Sequence, residues 1–426
     1  MRQLVTVRGM SWKLLSVSVL AALVCTGFTT AEAASKTYYV DQAAGNDTAS
    51  GTSQQTPWKS LAKVSSTTLA AGDTVLLRRG GAWSGGLAVK GSGVTIGAYG
   101  TGARPIVKGN AEACVDLPGA DNVVRDLQIG VAADAGRCSW AGVKVSGDRN
   151  KVLSNLITGA GAGVYIAPSA DHTEVTQNDL VDNNHMTVVT PGGNDDSGAF
   201  AVLVQGNDSD IGWNRISGSI AKADDFGGLD GAAVEIFYGS RNVIHHNISE
   251  DNETFTELGT DAKDPDGVST GNVFEYNAVF GAKTRGGIIT RGAEDGNGPV
   301  LGTVFRNNSL RLPNAESEGF VCYGGCTNQM LTMTQNVVQA AYKVGYADPT
   351  FTATDHNVYF GGLRQFTAGA TDKVADPKFT SATNLILRAG SPAIDLGTTK
   401  YDDRDVDGNP VFAGARVDAG AYEFQG

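Results

Sequence analysis

Two glutamates in the middle of the chain have surroundings that suit acid–base chemistry. In Ala233–Ile236 apolar residues alternate around Glu235, and in Phe255–Leu258 they alternate around Glu257. Such alternation is typical of strands with one inward face, so both carboxyl groups are predicted to point outward. On neighbouring strands the two groups would lie about 5 to 6 Å apart and could not both ionise comfortably. We expect one pKa to rise and supply a general acid, with the other carboxylate as nucleophile or base.

The next two alternating segments extend this outward row. With Ile288 and Thr290 inward, Arg291 points outward, and the same argument applies to Tyr323 after Gly319–Cys322. We therefore predict a single outward row of four residues: Glu235, Glu257, Arg291 and Tyr323. Arg291 would orient the substrate or stabilise charge, and Tyr323 would stack on a substrate ring. The alternative interpretation is a pair of solvated surface glutamates with no catalytic role.

Aspartates are concentrated in the loops beside these two strands: Asp224, Asp225, Asp230, Asp261, Asp264 and Asp266. Long loops that project from a regular scaffold are usually functional. We expect Asp225 and Asp230 to contact the substrate. Clustered carboxylate oxygens are calcium ligands, so Asp261, Asp264 and Asp266 form a predicted calcium site. Solvated acidic turns are the alternative.

The first residues predict export. Arg2, Arg8 and Lys13 precede an apolar run at residues 14–24, and Ala31–Ala33 has small residues where a signal peptidase cleaves. We predict a signal peptide over residues 1–33 and a secreted, extracellular protein without a transmembrane segment. Loss of three basic residues and one acidic residue takes the formal charge from −12 to −14. That acidic balance argues against a nucleic-acid partner.

Four cysteines remain after the predicted cleavage: Cys114, Cys138, Cys322 and Cys326. An even number in an exported chain suggests disulfides. The simplest pairing joins Cys114 to Cys138 and Cys322 to Cys326. A zinc site made of all four thiolates is the competing interpretation.

A repeated unit recurs along the chain, consisting of a large apolar residue, two variable residues and Asn. The copies are Val152–Asn155, Val175–Asn178, Ile211–Asn214, Ile244–Asn247, Phe274–Asn277, Phe305–Asn308 and Met333–Asn336, with Val123–Asp126 as an earlier copy that ends in Asp. Successive Asn residues are 23 to 36 residues apart. Short strands repeated at this spacing bury their apolar faces only by stacking, which predicts a solenoid. The Asn residues are predicted to adopt left-handed corners and to hydrogen-bond from rung to rung.

Further motifs occur near both ends of the chain. They are Tyr38–Asp41, Gly45–Asp47, Gly51–Ser53, Pro57–Trp58, Ala71–Val75, Ile96–Tyr99, Gly390–Asp395, Asp405–Gly408 and Asp418–Glu423. Together with the repeats, they make residues 37–424 resemble the secreted bacterial right-handed parallel β-helix proteins of the pectate-lyase-like superfamily. The last three motifs, at the carboxy-terminal end, resemble ones in family 9 polysaccharide lyases.

This resemblance implies an all-β solenoid with capping segments and a polysaccharide as partner. We expect an amino-terminal segment and first coils over 34–110, β-helix repeats over 111–362 and a carboxy-terminal capping segment over 363–426. Repeats with capped ends predict a monomer.

The resemblance leaves the chemistry open, since one fold hosts several activities. In similar lyases calcium neutralises a uronate carboxylate while a Lys or Arg removes the adjacent proton, and only Arg291 is placed for that role here. Carboxylate-based hydrolysis of glycosidic bonds is therefore slightly favoured and requires no cofactor. Calcium-assisted β-elimination on a uronic-acid polymer is the second hypothesis. A non-catalytic adhesin or carbohydrate-binding protein is the third.

Overall fold

Short parallel strands form nearly all of the secondary structure in the computed structural model. The structure describes residues 34–109, 112–193, 195–261 and 269–426, so the predicted signal peptide lies outside the described residues. Ser35–Gly426 forms one compact unit. Its coils stack as a right-handed parallel β-helix, which confirms the fold predicted from the repeats.

The strands form three columns, called sheets 1, 2 and 3. Sheet 1 consists of Thr37–Val40, Thr74–Arg78, Thr95–Tyr99, Val123–Arg125, Lys151–Leu153, Glu174–Thr176, Asp210–Gly212, Val243–His245, Val273–Glu275, Thr303–Arg306, Leu331–Thr334 and Thr354–Asp355. Sheet 2 consists of Ala82–Ser84, Ile106–Lys108, Gln128–Ile129, Leu156–Thr158, Asp179–Val181, Arg215–Ser217, Ile248–Glu250, Ala278–Phe280, Ser309–Leu312, Val337–Ala347, Val358–Gln365 and Lys373–Val374.

Sheet 3 holds the strands singled out by the sequence. It consists of Leu87–Ala88, Ala113–Leu117, Ala141–Val145, Ala162–Ile166, Phe200–Val204, Ala232–Phe237, Thr254–Gly259, Gly286–Arg291 and Glu318–Tyr323. The long strand Val337–Ala347 pairs with both sheet 2 and sheet 3, so the two columns merge there. Two small antiparallel hairpins project from the coils: Met186–Val188 with Ser197–Gly198, and Ala221–Lys222 with Leu229–Asp230.

Large side chains stack through the interior of the solenoid. Phe255, Phe274 and Phe305 are fully buried, with ring centroids 6.1 and 6.0 Å apart. Each buried aromatic side chain removes about 150–250 Å² from water, which is area that a single coil could not cover. Among the described residues, no helix is long and apolar enough to cross a membrane.

A ladder of buried Asn side chains runs along the corner between sheets 1 and 2. Its members are Asn155, Asn178, Asn214, Asn247, Asn277, Asn308, Asn336 and Asn357. From Asn155 to Asn336, each Nδ2 donates to the Oδ1 of the Asn on the next coil at 2.9–3.1 Å, and Asn357 donates to Asp372. Each Oδ1 from Asn178 onward also accepts the backbone N–H of the preceding Asn. The predicted rung-to-rung hydrogen bonding is confirmed.

The predicted left-handed backbone of these Asn residues is wrong. The left-handed residue is the one before each Asn, as at Ser154 (φ 55°) and Trp213 (φ 59°). The earlier copy is also displaced by one residue, because Val124 pairs with Val152 and Leu127 donates its backbone N–H to Asn155 Oδ1. Asp126 therefore occupies the left-handed position (φ 59°). The preceding residue turns the chain, while the inward-pointing Asn amide finds its hydrogen-bond partners on the coils before and after it.

The amino-terminal end of the core is closed by a short helix, Leu61–Ser66. Ser60 caps the helix by accepting the backbone N–H of Lys63 on its hydroxyl oxygen. Leu61 and Val64 are buried in the main core, and the helix packs against Leu87–Ala88.

The carboxy-terminal segment lies along the side of the solenoid. Its apolar residues, Leu385, Leu387, Val406 and Ala421 among them, pack with outward residues of sheet 2 such as Ala278, Phe280, Val337 and Val358. Gln335 anchors the segment, since its Oε1 accepts the backbone N–H groups of Thr398 and Thr399 at 2.7 and 2.9 Å. This packing covers the later strands of sheet 2, from Ile248–Glu250 to Val358–Gln365, and the apolar cluster that it forms includes no described residue of sheet 3.

Both predicted disulfides are present and the zinc alternative is excluded for these cysteines. Cys114 bonds to Cys138, and Cys322 bonds to Cys326, with Cα–Cα distances of 5.5 and 5.6 Å. The first bond fixes the loop that leads into the sheet 3 strand Ala141–Val145.

The Asn ladder predicts the effect of removing one rung. Asn247→Ala should lower the free energy of unfolding by about 1–3 kcal/mol, because Asn214 loses its acceptor and Ile211 loses a donor to its carbonyl. Urea unfolding followed by circular dichroism measures the change. Asn384→Ala, which removes an exposed amide from a local turn, is the control. Equal stability of the two variants would contradict the structural role of the ladder.

Candidate active site

A groove of about 620 Å³ lies on the outer face of sheet 3. Its carboxylates are Asp195, Asp196, Asp230, Glu235, Glu253 and Glu257. The aromatic residues in its wall are Trp140, Phe200 and Phe237, and Arg291 contributes a guanidinium. Concave sites that combine apolar walls with a few convergent polar groups are the usual place for ligands.

Glu235 and Glu257 are neighbours, as the alternation predicts. Glu235 pairs in register with Glu257 on the next coil, and both side chains line the groove. Val234 and Ile236, on either side of Glu235, are fully buried in the core. Burial of these two side chains sets the face on which Glu235 lies, since a one-residue slip would invert every residue of the strand.

The predicted single row of four residues is wrong in register. Ile289, and not Arg291, is the partner of Glu257. Arg291 lies two residues further along its strand and pairs with Tyr323. Two outward rows therefore exist. Alternation correctly identifies which side chains face outward, but it does not determine how far along the strand each one lies.

Arg291 nevertheless reaches the glutamate pair because its side chain is long. One terminal nitrogen forms a salt bridge with Glu257, and the other donates to the carbonyl oxygen of Leu258 at 2.7 Å. Its Nε donates to the Tyr323 hydroxyl at 3.2 Å and lies 3.5 Å from Asp295 Oδ1. Burial alone would lower the pKa of Arg291, but the charges of Glu257, Tyr323 and Glu235 and the hydrogen bond with Glu257 together outweigh it and raise the pKa. Tyr323 thus holds Arg291 and is not among the residues that line the groove.

Burial and mutual repulsion raise the pKa of three groove carboxyls. The pKa of Glu235 lies well above its ordinary value because of burial and the charges of Glu257 and Asp230, with Arg291 opposing. Burial and the nearby Glu257 and Glu253 raise the pKa of Asp230 to about 7. Burial also raises the pKa of Glu253, although Thr254 and Arg285 interact with its carboxylate. Proton donors at neutral pH are thus available in the groove.

A second acidic group lies at the edge of the groove. Oxygen atoms of Asp195, Asp196 and Asp225 all lie within 4.8 Å of one another. Asp225 is buried and accepts the backbone N–H groups of Gly192 and Asp195. Asp196 accepts those of Thr190, Asp224 and Asp225, and these bonds, that from Asp225 foremost, lower its pKa.

These hydrogen bonds organise the loop that borders the groove. Asp225 was predicted to contact the substrate, and its position instead suits support of that loop. Sequence reasoning missed Asp195 and Asp196. Their signal was the polar Gly-rich run 191–196 within a long insertion between the strands Asp179–Val181 and Phe200–Val204.

The predicted calcium site stays a prediction. Asp261 is partly exposed near the end of the strand Thr254–Gly259. Asp264 and Asp266 lie outside the described residues.

The aromatic part of the groove was also missed by sequence reasoning. Trp140 is partly exposed and meets Tyr165 edge to face, with ring centroids 5.5 Å apart. The Tyr165 hydroxyl donates to Gln205 Oε1 at 2.7 Å. Trp140 follows Cys138 by two residues, so the disulfide to Cys114 restrains the backbone that carries it. Its position after an irregular loop gave no periodic signal.

Comparison with known proteins supports the fold. The sequence matches no protein-family model and no curated protein. Pectate lyase Pel9A matches with a TM-score of 0.54 and 15% identity, over 91% of this chain and 96% of that chain. XylC in complex with xylose matches with a TM-score of 0.54 and 9% identity, over 92% and 99%. A GH136 lacto-N-biosidase from Eubacterium ramulus matches with a TM-score of 0.45 and 15% identity, over 80% and 67%. At these identities the similarity shows the fold alone, which confirms the pectate-lyase-like resemblance at that level.

The raised pKa of Asp230 predicts a pH-dependent stability. A carboxyl whose folded-state pKa exceeds its unfolded value favours folding at low pH, and this contribution is lost as the pH rises from 3.8 to about 7. Asp230→Asn removes a buried negative charge that destabilises the folded state. At about pH 8 its free energy of unfolding should therefore be about 1–3 kcal/mol higher than that of wild type. At pH values below 3.8 the variant and wild type should have the same free energy of unfolding.

Denaturant unfolding at both pH values measures this difference. The exposed Asp403, whose pKa is lowered by Lys400, supplies the control Asp403→Asn, which should not gain stability at high pH. A loss of stability in Asp230→Asn at both pH values would contradict the argument.

Proposed function

We propose that this protein is an extracellular enzyme that hydrolyses glycosidic bonds in a polysaccharide. The observation that carries the proposal is the in-register pair Glu235 and Glu257, of which one has a raised pKa and the other is held by Arg291. Paired carboxyls with different environments are the catalytic arrangement of glycoside hydrolases. Pectate lyase Pel9A, which has the same fold, is named for activity on a polysaccharide. The two disulfides favour an oxidising, extracellular location.

In the proposed reaction Glu235 is the acid and Glu257 the nucleophile. Glu235 transfers its proton to the glycosidic oxygen as the bond from that oxygen to the anomeric carbon breaks. A Glu257 carboxylate oxygen bonds to the anomeric carbon, and the leaving sugar departs with a new hydroxyl. Water then attacks the same carbon while Glu235 takes its proton, which releases Glu257 and restores the acid.

The spacing of the pair favours retention of configuration. Residues in register on adjacent parallel strands are about 4.8 Å apart, closer to the separation of about 5–5.5 Å in retaining enzymes than to the 6.5–9.5 Å in inverting ones. Arg291 positions Glu257 through the salt bridge and is itself oriented by Leu258 and Tyr323. The charge of Asp230 helps to keep Glu235 protonated.

Calcium-assisted β-elimination is the second candidate function. The observation that favours it is the trio Asp195, Asp196 and Asp225, whose carboxylate oxygens are chemically suited to a hard cation. Arg291 would then be the base. Against this role, Arg291 is engaged by Glu257 and keeps its proton because its pKa is raised.

Substitution of the two glutamates tests the hydrolysis proposal. Glu235→Gln and Glu257→Gln should each lower kcat on a cleaved polysaccharide by about 10²–10⁴-fold, while the circular dichroism spectrum of each variant remains that of the folded wild type. Glu250→Gln, on an exposed position of sheet 2, should leave kcat unchanged. Reducing-end release is the measurement, and NMR of the fresh product should show retained anomeric configuration.

The products separate the candidate functions. Hydrolysis gives reducing ends without new ultraviolet absorbance, and its rate should survive a chelator. Unsaturated, ultraviolet-absorbing ends whose formation stops in chelator would replace hydrolysis with elimination. Full turnover in both glutamine variants would refute the assigned roles, and binding without turnover by wild type on every polysaccharide would indicate a non-catalytic binding protein.

A further inference from the structure

We propose that the groove takes a glycan whose sugars carry no carboxylate, with one sugar ring packed against Trp140. The inference rests on the proposed function, because it names the substrate class of the same groove. It concerns binding, however, and binding is measurable without turnover.

The charge of the groove argues against an anionic polymer. Among the described residues that line it, six are carboxylic (Asp195, Asp196, Asp230, Glu235, Glu253 and Glu257) and one, Arg291, is cationic. The guanidinium of Arg291 already forms a salt bridge with Glu257 and lies near Asp295. A uronate in this groove would therefore meet repulsion with little compensating positive charge.

Hydroxyl-rich sugars suit the same groups. Ionised carboxylates accept hydrogen bonds and protonated carboxyls can also donate one, while a sugar hydroxyl does both. Bonds in which the acceptor is charged are stronger than those between neutral groups. Burial already raises the pKa of Asp230, Glu235 and Glu253, so a further negative charge would be opposed by the same desolvation.

The other part of the groove is apolar. On the outer face of sheet 3, Trp140 and Tyr165 pack with a small cluster of buried residues, Ala162, Phe200, Leu203 and Ala232. The indole keeps an exposed part, although Tyr165 supports its edge and the disulfide of Cys138 restrains its loop. A restrained, partly exposed aromatic ring is a good surface for the C–H face of a sugar.

The distance between the two parts suggests an oligosaccharide. Trp140 directly precedes the strand Ala141–Val145, and Glu235 lies on Ala232–Phe237, three rungs further along sheet 3. Three rungs correspond to about 14 Å along the solenoid axis, more than one sugar covers. The chain of the glycan would therefore run along sheet 3 from the indole to the glutamate pair.

Binding to the Glu235→Gln variant tests the inference without cleavage. The probes are neutral hexasaccharides of glucose, xylose, galactose, mannose and N-acetylglucosamine, and uronate hexasaccharides are tested in parallel. Isothermal titration calorimetry measures the affinity for each probe. We expect at least one neutral probe to bind, and addition of Trp140→Ala to weaken it by about tenfold or more. Trp140→Phe should retain part of the affinity. Tyr342→Ala removes an exposed aromatic ring outside the groove lining and should have no effect.

Substitution of Glu253 tests the role of the groove charge. Glu253→Gln should raise the affinity for a uronate probe relative to the affinity for the neutral probe by about three- to tenfold. Uronate probes that bind as tightly as the neutral ones, with or without added calcium, would overturn the inference. So would an absence of binding by every neutral probe, or neutral binding that is indifferent to Trp140→Ala.

These outcomes are distinct from failure of the proposed function. If a neutral probe binds through Trp140 but wild-type protein never cleaves it, the hydrolysis proposal fails and the inference stands. If wild-type protein hydrolyses only uronate polymers through Glu235, the inference fails and the hydrolysis stands.

Discussion

The register of adjacent parallel strands is the constraint on which the rest of this structure depends. Backbone hydrogen bonds and the buried Asn ladder hold each coil in one alignment with the next. Because an outward side chain becomes an inward one after a shift of one residue, the same alignment determines the composition of the groove. Glu235 and Glu257 are separated by 22 residues in sequence and become neighbours only through it.

The groove concentrates charge that the scaffold must tolerate. Carboxyls with raised pKa values, as at Asp230 and Glu235, disfavour folding at the pH where they ionise. A fold with an extensive core tolerates this loss of stability, and carboxyls with raised pKa values are common at functional sites. Arg291 offsets part of the repulsion through Glu257, and its partners Leu258 and Tyr323 keep the guanidinium in place.

The ends of the chain determine which face of the solenoid remains accessible. The helix Leu61–Ser66 closes the first coils, and the carboxy-terminal segment covers outward residues of sheet 2. The outer face of sheet 3 keeps its groove, bordered by the loop that Asp196 and Asp225 organise. The core and the Asn ladder thus carry stability, while the groove proposed for recognition lies on a different, accessible face.

The sequence by itself determined the solenoid and the outward direction of Glu235, Glu257 and Arg291, and it indicated two disulfides, whose simplest pairing is the one present. Each of these follows from a local rule: a period, an even cysteine count or an alternation of apolar residues. Only the tertiary structure decided that Arg291 lies two residues beyond the expected row along its strand yet reaches Glu257. It alone brought the loop residues Asp196 and Trp140 to the groove. Periodicity specifies which face of the sheet a side chain occupies. The position of that side chain along its strand relative to the next coil, and the course of a loop, depend instead on contacts with other coils.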